Sequence, residues 1–400
     1  MPEVPIHETP GDRLKMLRKR ARMSQADLAR MAATTQAHIS QYETGKRELD
    51  RVSVVNQLAR ALSCNPQEIL GVPGFDDPTG RGQEAANELV RQLRRLDLPP
   101  QAATHRPLDE LAAAIAPLVA LRGSARYVEL GARTAELIPE LHAATNAPNP
   151  LDRARAHRLL THACKEAHSF AYGLDHSHLV ELATFRARWN AERADDPLLP
   201  ALADYMAARD AWTTADWTDA HLLIDRAIAT VEASTPADPR AAASLTGALH
   251  LRAAITAARA NDADVAYGRL DEAETQARLA EGADPYLNWF SAGNVGMHWV
   301  AVAVELGDGV EAVRRAGGLR LPKGMPPSRV AHHYMDAARG WIWVNDVERS
   351  LASIERAYRI APQLVSHNAI AQQTVRALVR AERRSTRERL RVMATRLHVE

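Results

Sequence analysis

Leu14, Leu17 and Ala21 recur at i, i+3 and i+7, one apolar face of a short helix whose other face carries Arg13, Lys15, Lys19, Arg20 and Arg22. Ser24-Gln25-Ala26-Asp27 is a capping-box pattern that opens a second helix, with Leu28, Ala29 and Ala32 on its packing side. Ala33-Thr34 make a turn. Thr35 then caps a third helix over 36–44, with Ile39 and Tyr42 facing inward and Gly45 as its stop. Val55, Leu58, Ala59 and Leu62 mark a fourth helix, and a short fifth follows Pro66 and ends in Ile69 and Leu70. The pattern predicts a five-helix domain over 11–71 behind a loose tail over 1–10.

Residues 72–82 are rich in Gly, Pro and Asp, which marks a linker or tight loop. Ala86, Leu89, Val90, Leu93 and Leu96 then share one side of a helix over 84–98, so 72–107 reads as a linker with a connecting helix. Beyond Leu108 the chain reads as helix throughout, broken at 146–150 and 322–327. Short acidic turns recur at Asp175, Asp216, Asp262, Asp308 and Asp346, at intervals of 41, 46, 46 and 38 residues. An apolar, Ala-rich helix follows each of the last four: 220–231, 265–279, 310–316 and 347–360. Helix, turn, helix at a period near 40 predicts hairpins that cannot bury their apolar faces alone and must stack into a superhelix. The expected repeat domain spans 108–383. It is followed by a basic amphipathic helix over 384–400, part of a run with Arg376, Arg380, Arg383, Arg384, Arg387, Arg389, Arg391 and Arg396. That helix can cap the solenoid, pair with a second subunit or touch a DNA backbone, with capping favoured.

Composition sharpens this picture. The chain has 400 residues, enough for two or three domains, and 46% hydrophobic residues with few β-branched runs, which favours an all-α fold. The formal net charge is +1, so any surface that attracts nucleic acid must be local. Two distant cysteines, Cys64 and Cys164, argue against a disulfide framework and fit a reducing cytoplasm. No signal peptide and no long apolar run point to secretion or a membrane. His157, Cys164 and His168 share a helix face near His176 and His178, but the spacing is no known ligand pattern, and no metal is expected. Without a Gly-rich phosphate loop, a nucleophile elbow or a helical HExxH, neither an enzyme nor a cofactor is expected.

The string from Met23 to Arg30, then Thr34-Thr35-Gln36-Ala37-His38-Ile39-Ser40-Gln41-Tyr42-Glu43-Thr44-Gly45-Lys46, with Leu58 to Leu62 and Asn65 to Leu70, resembles the Xre/Cro-like helix-turn-helix family and its phage repressors. Ala33 departs from the pattern, since the family usually has Gly there, and a Cβ in a left-handed turn costs about 1 kcal/mol. A recognition helix enters the major groove by its N-terminal end, and Gln can bond bidentately to adenine. The resemblance implies double-stranded DNA as partner, with Gln36, Ala37 and Gln41 reading bases. It places Gln25 on a phosphate, His38 and Ser40 on phosphate or base edges, and Lys46 and Arg47 along the next phosphates. Arg51 matches a position that reaches a narrow minor groove. Arg18 and Glu43 match a structural ion pair between the first and third helices.

The region over 150–383 resembles the tetratricopeptide-like domains attached to such regulators in high-GC bacteria, carried best by 212–228, 249–277 and 293–308. Asn288, Asn294, His298, Trp299 and Tyr334 fall in an aromatic- and Asn-rich stretch over 286–345. They either line a concave groove for a small molecule or a peptide, or pack between helices and cap them. The expected protein is a dimeric, cytoplasmic DNA-binding regulator with a repeat domain for dimerisation and sensing. The rival expectation is an interaction scaffold whose small N-terminal domain serves assembly.

Overall fold

The computed structural model describes residues 9–71, 80–95, 98, 104–236, 238–382 and 384–399, and these form helices and connecting turns without a strand. The N-terminal unit comprises α1 (Pro10–Arg20), α2 (Gln25–Met31), α3 (Gln36–Glu43), α4 (Val52–Leu62) and α5 (Pro66–Leu70). Leu14, Leu28, Ile39, Leu58 and Ile69 close one core. The first helix starts earlier than its apolar period suggests. Thr9 and Asp12 form a capping box, so α1 opens at Pro10, inside the expected tail. The expected linker residues 72–79 lie outside the described residues.

The larger unit begins with α6 (Arg81–Leu93), α7 (Leu108–Ala113), α8 (Ile115–Gly123) and α9 (Tyr127–Ala144). It continues through α10 (Pro150–Gly173), α11 (Ser177–Ala191), α12 (Leu199–Asp210), α13 (Trp217–Ala233), α14 (Pro239–Arg259) and α15 (Ala263–Ala280). The last helices are α16 (Ala292–Leu306), α17 (Gly309–Gly318), α18 (Pro327–Trp343), α19 (Val347–Ile360), α20 (Pro362–Ser366), α21 (Ala369–Arg380) and α22 (Arg387–Arg396). Helix α6 packs its Ala85, Ala86, Leu89 and Leu93 side on α9 and α11 and so joins the first layer of the solenoid. No helix among the described residues is long and apolar enough to cross a membrane.

Consecutive helices pair as hairpins: α10 with α11, α12 with α13, α14 with α15, α16 with α17, α18 with α19, and α21 with α22. Helices α10, α12, α14, α16, α18 and α21 stack in sequence along the inner wall, and their partners form the outer one. One turn joins most of these pairs. A residue with positive φ (Asp175, Ala215, Asn261, Gly307 or Asn345) ends the inner helix. The next amide then reaches back five residues at 2.8–3.0 Å, as in His176 to the Ala171 carbonyl and Asp262 to the Ala257 carbonyl. The residue after the left-handed one caps the outer helix. Asp262, Asp308 and Asp346 accept the amides of Val265, Glu311 and Arg349 at 2.9–3.1 Å. Three of the five acidic markers in the sequence are these caps, and Asp216 holds the same position without a cap hydrogen bond. At the first turn the register is one residue different: Asp175 is the left-handed residue and His176 stands at the cap.

The superhelix closes on itself. Leu118 of α8 and Phe170 of α10 belong to the same buried core as Leu351 of α19 and Val375 of α21. Helix α8 packs on α18, and the Tyr127 amide donates to Gln363 Oε1 at 3.0 Å. Arg389 of α22 pairs with Glu355 and Glu348 on α19, so the basic C-terminal helix is fastened to the solenoid.

Candidate nucleic-acid interface

Ser24 accepts the Asp27 amide at 3.1 Å and Asp27 accepts the Ser24 amide at 3.1 Å, so α2 starts from a reciprocal cap. Ala33 takes φ +48°, and Thr34 N–H closes the turn on the Ala29 carbonyl at 2.9 Å. The left-handed conformation usually given to glycine is thus adopted by an alanine. Thr35 Oγ1 accepts the His38 amide at 3.2 Å and starts α3. Ile39, Tyr42 and Glu43 turn inward, which leaves Gln36, Ala37 and Gln41 exposed together on the opposite side. Two polar amides and a methyl on one rigid face can present donors, acceptors and an apolar contact to base edges.

The face is held from below. Arg18 and Glu43 form a buried, two-point pair, Nε to Oε1 at 2.5 Å and Nη2 to Oε2 at 3.0 Å, and Arg18 Nη1 also donates to the Met23 carbonyl at 2.7 Å. Gln25 Nε2 donates to Glu43 Oε2 at 2.8 Å, which ties α2 to α3 and occupies the amide assigned to a phosphate. Burial pushes the Glu43 carboxyl up, but the hydrogen bonds from Arg18 and Gln25 outweigh it and hold it below its ordinary value. His38 and Ser40 are half-buried. His38 Nδ1 lies 3.2 Å from Thr34 Oγ1, and the Ser40 carbonyl accepts Thr44 Oγ1 at 2.7 Å. Lys46 and Arg47 are exposed at the exit of α3.

Arg51 does not share that open surface. Its Nη2 donates to the Leu306 carbonyl at 3.0 Å, at the C-terminal end of α16, where the helix dipole favours a cation. Gly307, at φ +81°, makes this approach possible, because a Cβ there would stand 2.6 Å from the Arg51 guanidinium carbon. Beside it Trp343 Nε1 donates to Asp50 Oδ2 at 2.7 Å, Arg380 meets Glu48, and Gln67 bonds Asp175. The turn between α3 and α4 is therefore docked on the solenoid. In this arrangement the minor-groove role expected of Arg51 gives way to a helix-end contact, and sequence offered no sign of it.

The stretch read as a ligand groove divides. Asn288, Asn294 and His298 line a partly open cavity of about 380 Å³ bounded mainly by the inner helices. Trp299 and Tyr334 do not. Trp299 stacks on Tyr267 with ring centres 5.6 Å apart and donates to Glu274 at 2.7 Å, while Tyr334 packs against the core beneath Arg356. The reason is helical phase. On α16 the inward stripe is Asn294, His298, Ala301 and Glu305, and Trp299 is turned about 100° from His298 toward α15. His157, Cys164 and His168 also go separate ways, to Asn190, the core and Asp210.

A family model described as a helix-turn-helix domain matches residues 11–70, the span of the five N-terminal helices. No curated protein and no solved structure matches the chain. Residues 11–70 are thus a helix-turn-helix domain, which points to DNA as its partner and to a DNA-binding regulator.

Proposed function

We propose that the protein is a sequence-specific transcriptional regulator of Xre/Cro type. In this reading Gln36, Ala37 and Gln41 read bases in the major groove, and Lys46 and Arg47 follow the phosphates. The tetratricopeptide-like solenoid dimerises the chain and senses an effector. The observation that carries the reading is the exposed face of α3, held rigid by the buried Arg18–Glu43 pair. Phe185 on α11 and Leu222 on α13, 70% and 63% exposed on the outer wall, supply apolar surface for a second copy. The rival scaffold reading draws support from the docked turn at Glu48, Asp50 and Arg51, which ties the small domain to the repeats.

Selection of bound fragments from random duplex DNA separates the two. A regulator enriches a consensus site. Gln36→Ala and Gln41→Ala each weaken binding to it by about 1–3 kcal/mol while sparing non-specific affinity. Lys46→Ala weakens both alike and lowers the salt slope by about one unit. Absence of any enriched sequence, or unchanged affinity in both Gln variants, would refute base reading by α3.

A further inference from the structure

Positive charge collects inside the solenoid. Arg209 at the end of α12, Arg252 on α14 and Arg329 on α18 all face the cavity of about 380 Å³. The acids on its wall, Glu305 and Asp336, are engaged elsewhere. Glu305 lies 3.5 Å from both Arg259 and Arg339, and Asp336 is 3.5 Å from Arg339. Among the described residues no carboxylate forms an ion pair with Arg209, Arg252 or Arg329. Each lies over an aromatic ring instead, at 3.5 Å from Tyr172, 3.6 Å from Tyr205 and 5.4 Å from Trp289. Rings orient a guanidinium and partly offset its charge; Arg329 Nη2 also donates to the Asn288 carbonyl at 3.4 Å and Arg252 hydrogen-bonds Tyr205, and the remaining N–H groups can meet an anion.

Hydrogen-bonding capacity on this wall is also unspent. Arg252 and Asn288 are 8% and 3% exposed. Arg252 Nε and Nη1, Arg329 Nε and both polar atoms of the Asn288 amide have no protein partner. A buried amide left unbonded at both ends is costly, and buried like charges cost more. Tyr205 responds to the same field: burial would raise its phenol, but Arg252 and Arg329 draw it down to about 7. His298 stays neutral, held at about 4 by burial and by Arg329, so it adds no charge near neutral pH. A group with several anionic oxygens would satisfy the guanidinium forks and Asn288 together. A chamber of this volume suits a small molecule rather than a duplex.

We propose that this chamber binds a small molecule bearing at least two anionic groups, phosphate or carboxylate, with Arg209, Arg252 and Arg329 as counter-charges and Asn288 as the neutral hydrogen-bonding partner. The inference rests on the sensor role given above to the solenoid, and names its ligand class. The N-terminal domain forms part of the same wall, since Val52 at the start of α4 lines the cavity beside the Arg51 and Asp50 contacts. An occupant therefore changes the stability of the docked arrangement.

The test uses the full chain with inorganic pyrophosphate and citrate as probes, against sodium chloride at matched ionic strength, by calorimetric titration and thermal unfolding. At least one probe should bind in the millimolar range or tighter and raise the unfolding temperature above the chloride control. Arg252→Gln and Arg329→Gln should each weaken that binding about tenfold or more, and should unfold no earlier than wild type without anion, since like-charge repulsion is relieved. The exposed Arg391→Gln should behave as wild type. Phenylglyoxal modification of the wild-type chain, mapped by mass spectrometry, gives an answer even where a variant misfolds: the bound probe should protect Arg252 and Arg329. No response to either probe, an unaltered response in both variants, or an unchanged modification pattern would each overturn the proposal. An acidic peptide that binds the chamber while both probes fail also overturns it. DNA retardation is measured separately without polyanion, so its failure removes the regulator and leaves the anion site standing.

Discussion

Trp343→Phe probes the docking of the N-terminal domain without touching that domain. The substitution removes the 2.7 Å hydrogen bond from the indole to Asp50 and keeps an aromatic ring in the cluster with Ala303, Val304 and Ala312. Hydrogen bonds to charged acceptors contribute about 1.5–3 kcal/mol. Asp50 is half-buried and regains water once released, so the lower figure applies, about 1.5 kcal/mol or a factor of about ten in the docking equilibrium. The remaining contacts, Arg51 on Leu306 and Arg380 on Glu48, still favour the docked form. On the proposed reading, DNA competes with the solenoid for the turn between α3 and α4. The variant should then bind the selected site about tenfold more tightly in fluorescence anisotropy. Amides over 45–52 should exchange faster in the free protein, and the helical circular dichroism should stay at the wild-type level. Faster exchange with unchanged DNA affinity would show that docking does not compete with DNA and refute the reasoning.

Ala33→Gly relieves the positive φ of the helix-turn-helix turn at an exposed position, and should raise the stability of the small domain by about 1 kcal/mol, read from exchange of α2 and α3 amides. Gly247→Ala places a Cβ 1.9 Å from Phe290 Cζ between α14 and the start of α16, and should cost about 3 kcal/mol in denaturant unfolding. His250 and His333 are buried, and burial lowers both to about 4, below the unfolded value near 6.5. The unfolded chain therefore binds more protons within that window. Stability is full above it and falls as pH drops from 6.5 toward 4, at about 2.7 kcal/mol per pH unit from the pair. A flat stability profile between pH 6 and 4.5, or an equal slope after His250→Gln and His333→Gln together, would count against this assignment.

The N-terminal domain was legible because its signals are local. Capping boxes, an apolar stripe per helix and the stop at Gly45 each act within one helical turn, and the exposed triplet Gln36, Ala37 and Gln41 follows from them. The repeats were legible through their caps, Asp216, Asp262, Asp308 and Asp346, although the first turn misled by a residue because an aspartate there occupies the left-handed position itself. The inner face was harder to read. Aromatic and Asn content drew attention to residues 286–345, yet helical phase sends Trp299 and Tyr334 away from the cavity. Arg209, Arg252 and Arg329 sit on three different helices and meet only through superhelical stacking. A net charge of +1 conceals them, since acids elsewhere in the chain balance them in the sum. Docking of Arg51 on α16 likewise depends on two elements far apart in sequence.

The closed superhelix also bears on how the chain is made. An open array of repeats can fold progressively, each hairpin settling on the one before it as it emerges. Here the layer built from α6, α8 and α10 shares its core with α19 and α21, which are translated well after it. The part of α8 that packs on α18 must wait on the ribosome without its cover until that helix has emerged. Such non-local closure slows folding and prolongs exposure of sticky surface. Chains that terminate prematurely within α18 or α19 should therefore be the ones most dependent on chaperones, even though nearly every repeat is already present.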